Sequence, residues 1–207
     1  MVTDVTGVLL AGGKSRRMGQ DKRFLELGQQ TLFARSLAVL RTVFQAVLIV
    51  IAQDSEPIES DVPVLRDLVP NCGSLGGLYT GLHASTTPFV FAVACDMPFL
   101  SAQAVEFMVA MKEQADVVMV RRDTGLQPLH ALYGKRCLPS MEEMIRNGEL
   151  KIQRIVERST LATRIVTEAE LSRVDPDGRS FLNVNTPADL EAAKKLLAGL
   201  PGSQPRL

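Results

Sequence analysis

Apolar positions in this chain follow two rhythms that alternate along its length. Residues 5–12 (VTGVLLAG), 46–52 (AVLIVIA), 62–67 (VPVLRD), 89–97 (FVFAVACDM) and 116–121 (DVVMVR) are short, largely apolar runs. Runs of that length and composition predict strands buried on both faces. Between them the spacing turns helical. In residues 31–43 (TLFARSLAVLRTV), Leu32, Leu37, Leu40 and Val43 share one face, and Thr31 is placed to cap it. Residues 75–85 (LGGLYTGLHAS) predict a small-residue helix that packs closely. Residues 101–113 predict an amphipathic helix capped by Ser101.

After Arg122 the pattern changes. Residues 126–134 (LQPLHALYG) alternate, which predicts an antiparallel strand, and residues 162–168 (ATRIVTE) predict another strand. Helices are expected over 138–148 and 185–199, the second with Thr186 as cap, Pro187 at its first position and Gly199 past its end. The expected fold is α/β: a Rossmann-like, mostly parallel sheet flanked by helices, in one domain over residues 1–200. Residues 201–207 are expected to form a disordered tail. In such sheets ligands bind at the carboxyl ends of the strands, near the point where strand order reverses. The first four predicted strands end in AGG, AQD, RD and CD, so polar residues collect at that edge.

Composition narrows the function. Lysine plus arginine and aspartate plus glutamate number 23 each in 207 residues. A neutral chain is a poor general nucleic-acid binder, so no nucleic-acid partner is expected. Cys72, Cys95 and Cys137 form no CxxC pair, which argues against a disulfide framework and for a reducing compartment. The start MVTD lacks a signal-peptide pattern, and no apolar run reaches membrane-spanning length. A cytoplasmic protein without a membrane partner is expected.

Against that neutral background, VLLAGGKSRRMGQDK concentrates Lys14, Arg16, Arg17, Asp21 and Lys22 directly after the first strand and two glycines. Glycines let main chain approach a phosphate, arginine forks onto phosphate oxygens, and lysine adds a point charge. The loop matches neither GxGxxG nor GxxxxGK[ST]. A basic turn with glycines for tight geometry is the alternative. Asp96 ends an apolar strand with no cation beside it in sequence. Asp67 follows the short strand in VLRD, where an ion pair with Arg66 is the alternative to a ligand contact.

The stretch LLAGGKSRRMGQDK resembles the signature loop of nucleotidyltransferases with a GT-A-like fold, and in particular that of molybdenum cofactor guanylyltransferases (the MobA type), which carry LAGGxSxRMGxDK. VLRD, GSLGGLYTGL, CDMPF, QPLHALY and NVNTPADL follow in the family's order, so the resemblance covers most of the chain. It implies that Leu10, Ala11, Gly12 and Gly13 border GTP, with main-chain N–H groups toward ribose and phosphates. It implies phosphate contact by Lys22, and neutralisation by Arg17, with Arg16, of charge on the departing pyrophosphate. Asp96 becomes a Mg²⁺ ligand, and Asp67 a contact to guanosine whose carboxylate accepts from the guanine N1–H and N2–H₂ donors. Asn183 and Asn185 lie on the side that receives the pterin, where turn and cap chemistry is the equal alternative for Asn185. Some family members carry an asparagine after the second strand where this chain reads VIAQD, and that contact is left unplaced.

The implied reaction transfers GMP from GTP to molybdopterin or the molybdenum cofactor and releases pyrophosphate, with Arg17, Lys22 and Asp96 as the catalytic set. Other cofactor-biosynthesis proteins or acceptor molybdoenzymes are the further partners it implies. The rivals are a cytidylyltransferase of the same cofactor, a sugar-phosphate nucleotidyltransferase, or a GTP-binding regulator without turnover. The first two usually carry alanine where this chain has Gly12. His83 and His130 lack carboxylate or cysteine at ligand spacing and are read as structural or surface residues. Cys95 is read as a small core residue.

Overall fold

The first strand sets the frame. In β1 (Val2–Leu10) burial becomes complete from Val5 onward, and the strand pairs in parallel with β4 (Phe44–Ile51) on one side and β6 (Phe89–Ala94) on the other. The protein is seen in a computed structural model that describes residues 1–12 and 21–200, with main chain alone at Lys22. The expected tail 201–207 lies outside the described residues.

A seven-stranded sheet runs in the order β5-β4-β1-β6-β8-β7-β9, where β5 is Val64–Arg66, β7 Val117–Arg122, β8 Gly125–Gly134 and β9 Thr163–Thr167. Every pairing is parallel except those of β8, which runs antiparallel between β6 and β7. The expected antiparallel excursion is therefore one strand inserted within the sheet. A two-stranded hairpin, β2 (Glu26–Leu27) with β3 (Gln30–Thr31), stands apart and has no counterpart in the sequence reading.

The two sheet faces carry separate cores, because successive side chains of a strand point to opposite sides. Val5 and Leu9 of β1 join Phe44 and Phe91 in one core, with Leu37 and Leu40 of α1 (Leu32–Val43) and Val105 and Met108 of α3 (Ala102–Val109). Val8 and Leu10 face the other, under α2 (Gly73–Ala84) and α4 (Leu138–Arg146). Small residues let α2 come close: a Cβ at Gly81 would lie 2.6 Å from a Val8 methyl. Thr31 and Ser101 cap α1 and α3 as expected, their hydroxyls accepting from Ala34 N and Ala104 N. The short α5 (Glu168–Leu171) follows β9. The last helix, α6 (Pro187–Ala198), begins in a capping box between Thr186 and Asp189. A third small cluster ties Leu25, Leu27 and Leu32 to Val184 and Ala193, so hairpin and α6 brace each other. Among the described residues no helix is long and apolar enough to cross a membrane.

From β1 the chain moves outward through β4 to β5. Helix α2 then carries it back to β6 on the other side of β1. The carboxyl ends of β1 and β6 thus flank the reversal of strand order where α/β sheets bind ligands.

Candidate functional site

A cavity of about 740 Å³ opens at that reversal, within the size range of small-molecule sites. Leu10, Ala11 and Gly12 enter it from β1, Asp67 from the end of β5, and Asp96 from the turn after β6. These five expected site residues therefore meet at one place. Gly13, Arg16 and Arg17 lie outside the described residues, as does the side chain of Lys22. The main chain of Lys22 opens a 3₁₀ turn, Lys22–Phe24, whose neighbours Asp21 and Arg23 both line the cavity.

The main chain after β1 departs from expectation at one residue. The Ala11 N–H donates to Val50 O at 2.8 Å, and Leu10 O accepts from Cys95 N at 3.1 Å. The sheet ladder thus takes up the Ala11 donor expected to face a ligand. Gly12 also works differently. The sequence reading has Gly12 bordering a ligand, yet a Cβ there would meet Ala52 N at 2.8 Å and Ala52 Cα at 3.4 Å. Close approach to the main chain after β4 is what requires glycine there.

Asp67 is buried, and Arg66 is not its partner. Asp67 Oδ1 accepts from Val69 N at 3.0 Å and from the Thr80 hydroxyl at 3.1 Å. A Cβ on Gly76 of α2 would stand 2.7 Å from Oδ2, so the bare helix turn makes room for the carboxylate. Beside it the segment Pro70–Gly73 forms a wall that the sequence reading did not assign. Asn71 (φ 67°) and Gly73 (φ 56°) are both left-handed and turn the chain sharply into α2. No side chain caps α2 and its first turn has no acid, while Gly73 and Ser74 line the cavity. The helix start therefore presents uncapped N–H donors there. Burial, and then the Asp67 charge, raise the pKa of the Cys72 thiol, which keeps it protonated and a poor nucleophile.

Arg23 is the other missed residue. Nearly fully buried, it forks onto Asp21 through Nε and Nη2, and its Nη1 donates to Glu56 O at 3.0 Å. Burial pushes the Asp21 carboxyl up, but hydrogen bonds and charge from Arg23 outweigh it and hold the group below the usual carboxylate range.

The main chain of Asp96 also anchors a late loop of the chain. Its main-chain oxygen accepts from Val184 N at 2.9 Å, which brings the Asn183–Asn185 loop against the turn after β6. The two asparagines are exposed and outside the cavity lining. Asn183 Nδ2 donates to Phe181 O at 3.3 Å, and the Asn185 N–H donates to Asp189 Oδ2 at 2.9 Å. Ser180 Oγ accepts from Ser101 N at 3.1 Å and pins the same loop to α3.

Among the described residues no group of three or more His, Cys, Asp or Glu side chains is arranged to hold a metal. The described charged side chains lining the cavity are Asp21, Asp54, Asp67 and Asp96 against Arg23. A polyanion entering here needs positive charge beyond that of Arg23. One carboxylate, with water and phosphate oxygens completing the shell, suits a hard divalent ion.

A mostly parallel sheet with its cavity at the strand reversal, a glycine loop after β1 and an aspartate after β6 together define a nucleotidyltransferase. Residues 7–164 match the model of the MobA-like NTP transferase domain, and the chain belongs to that family. It is 36% identical over 91% of its length to a probable molybdenum cofactor guanylyltransferase of Pelotomaculum thermopropionicum, covering 91% of that protein. It is 33% identical over 92% of its length to a molybdenum cofactor guanylyltransferase of Desulfosudis oleivorans, covering 94% of it. The crystal structure of molybdopterin-guanine dinucleotide biosynthesis protein A from Archaeoglobus fulgidus superposes with a TM-score of 0.82 at 25% identity, covering 94% of this chain and all of that one. Nucleotidyltransferases of this family typically use a divalent metal.

Proposed function

We propose that the chain, as one unit over residues 1–200, transfers GMP from GTP to molybdopterin or the molybdenum cofactor, releasing pyrophosphate. The observation that carries this reading is the convergence of Leu10–Gly12, Asp67 and Asp96 on one cavity, with the Asn183–Asn185 loop bonded to the Asp96 main chain. The named relatives favour it over the cytidylyl, sugar-phosphate and purely regulatory alternatives. The cytoplasm is the proposed compartment, and other cofactor-biosynthesis proteins or acceptor molybdoenzymes are the proposed further partners.

Mechanistically, the terminal phosphate of the pterin attacks the α-phosphorus of GTP as pyrophosphate leaves. The attacking oxygen is already anionic, so no protein nucleophile or general base is required. Catalysis rests on positioning and charge stabilisation. Asp96 would hold Mg²⁺, which when bound supplies positive charge to the phosphate oxygens. Gly12 and Gly13 border the triphosphate, Lys22 contacts it, and Arg17 neutralises the leaving group. Asp67 accepts from the guanine edge, and Asn183 and Asn185 orient the pterin.

Base choice tests the reading. Because Asp67 Oδ1 already holds Val69 N and Thr80 Oγ1, Asp67→Asn is a cleaner probe than alanine. The amide oxygen keeps those bonds, and an NH₂ donor replaces the second acceptor. Losing that pairing costs about 1–3 kcal/mol, so the GTP/CTP ratio in pyrophosphate release should fall roughly tenfold. Equal loss with both nucleotides would remove Asp67 from base reading. Gly12→Ala should behave otherwise. Its methyl displaces the Ala52 wall, so KM should rise by similar factors for GTP and CTP, and stability should fall by about 1–3 kcal/mol in thermal melts.

A further inference from the structure

Two arginines from different elements grip the turn that follows β4. The turn closes with Ser55 N–H on Ala52 O at 3.1 Å, and Gln53 and Asp54 line the cavity. Arg66, in register with Ile51 at the end of β5, directs Nη1 to Ala52 O (3.4 Å), Gln53 O (2.7 Å) and Ser55 O (3.1 Å). Arg23, from the far end of the glycine loop, holds Glu56 O at 3.0 Å while its other nitrogens hold Asp21. Carbonyls of Ala52, Gln53, Ser55 and Glu56 are thus all taken by guanidinium groups. Alternation along β5 explains how one strand end serves both sides: Asp67 enters the cavity, and the preceding Arg66 points the other way and takes the turn.

We propose that Arg66 and Arg23 are positioning residues for the nucleoside half of the substrate: they hold the 52–56 turn, with Gln53 and Asp54, as a preformed wall of the GTP cavity. The proposal rests on the reading that this cavity takes GTP. In this turn Gln53, Asp54 and Glu56 are exposed and Ala52 and Ser55 only half-buried, so burial does little to order it. Without the guanidinium bonds it samples many conformations, and nucleotide binding must then order it, which weakens affinity. Arg66 is itself exposed, so its bonds add little to global stability while still selecting one shape of the wall.

Arg66→Met keeps the length of the side chain and removes its donors. The variant should raise KM for GTP about tenfold, with kcat and the KM for the pterin acceptor within about twofold and the melting temperature nearly unchanged. That ratio should persist between about 0.05 M and about 0.3 M KCl, since long-range charge is screened over that range and a hydrogen-bonded turn is not. Hydrogen exchange in the free protein should accelerate at residues 53–56. An unchanged KM for GTP overturns the proposal. So does an increase that vanishes at the higher salt, which makes Arg66 a distant charge, or an equal loss toward GTP and acceptor, which makes it general damage. Wild-type protein that neither binds nor uses GTP overturns the nucleotide reading itself. The exchange measurement then still tells whether Arg66 holds the turn.

Discussion

Asp96→Asn is expected to reduce guanylyl transfer by on the order of 100- to 1000-fold, the scale reached when a group that stabilises transition-state charge is removed. The substitution keeps shape and removes the charge proposed to hold the metal. One tie survives the substitution by construction: the loop bearing Asn183 and Asn185 is bonded to the main-chain oxygen of Asp96 through Val184 N. The neighbouring turn is anchored separately, by Ser36 Oγ on Met97 O at 3.2 Å and Arg35 Nε on Pro98 O at 3.2 Å. The Asn183–Asn185 loop and the fold should therefore survive. KM for the pterin should stay within about threefold while kcat collapses, the pattern of an interaction realised in the transition state. Steady-state kinetics across a Mg²⁺ titration checks this. Near-wild-type turnover at saturating Mg²⁺ would remove Asp96 from catalysis.

The parts of this site legible in the sequence are those carried by buried strands. A strand covered on both faces must be apolar throughout, so VTGVLL and FVFAVA stand out, and the polar residues at their ends mark the ligand edge. Side-chain caps were legible for the same local reason: Thr31, Ser101 and Thr186 each bond a main-chain N–H three residues on. What stayed hidden depends on partners distant in sequence. Alternation in LQPLHALYG announces a strand, but nothing local says that it inserts between β6 and β7. Two-residue strands such as β2 and β3 are too short to show a period. For Arg66 the sequence offers only an ion pair with Asp67, as the alternative to a ligand contact of that acid, whereas its real partners are carbonyl oxygens, which every residue carries and no sequence pattern marks. Arg23 is hidden likewise, since a cation near the basic loop looks solvated until its burial is seen. The wall at Pro70–Gly73 depends on left-handed backbone at Asn71, a conformation that asparagine permits but does not announce.

His130 carries the second large effect, on stability. The sequence reading left it as a structural or surface residue, and it is fully buried on β8 opposite Val93. Its ring stacks on Phe181 at 4.3 Å and meets the edge of Phe91 at 5.4 Å, and neither ring nitrogen has a hydrogen-bond partner. Burial pushes the imidazole down to about 4. In the unfolded chain histidine titrates near 6.5. Below that pH the unfolded state binds a proton that the native state refuses. Stability is therefore full above about pH 6.5 and drains away as pH falls toward 4, by on the order of 3 kcal/mol at the lower end. For a chain of this length that corresponds to roughly 6–12 °C in melting temperature. The acidic groups with depressed values, Glu170 at about 2 and Asp21, start to lose their contributions only as pH falls through the ordinary carboxylate range, so most of the histidine window lies above theirs. His130→Phe preserves an aromatic partner for Phe181, removes the titration and leaves no unpartnered ring nitrogen. Melting curves from pH 7 to pH 4 should fall steeply for the wild type between 6.5 and 4 and stay nearly level for the variant. Parallel curves for the two proteins would show that the acid lability comes from elsewhere.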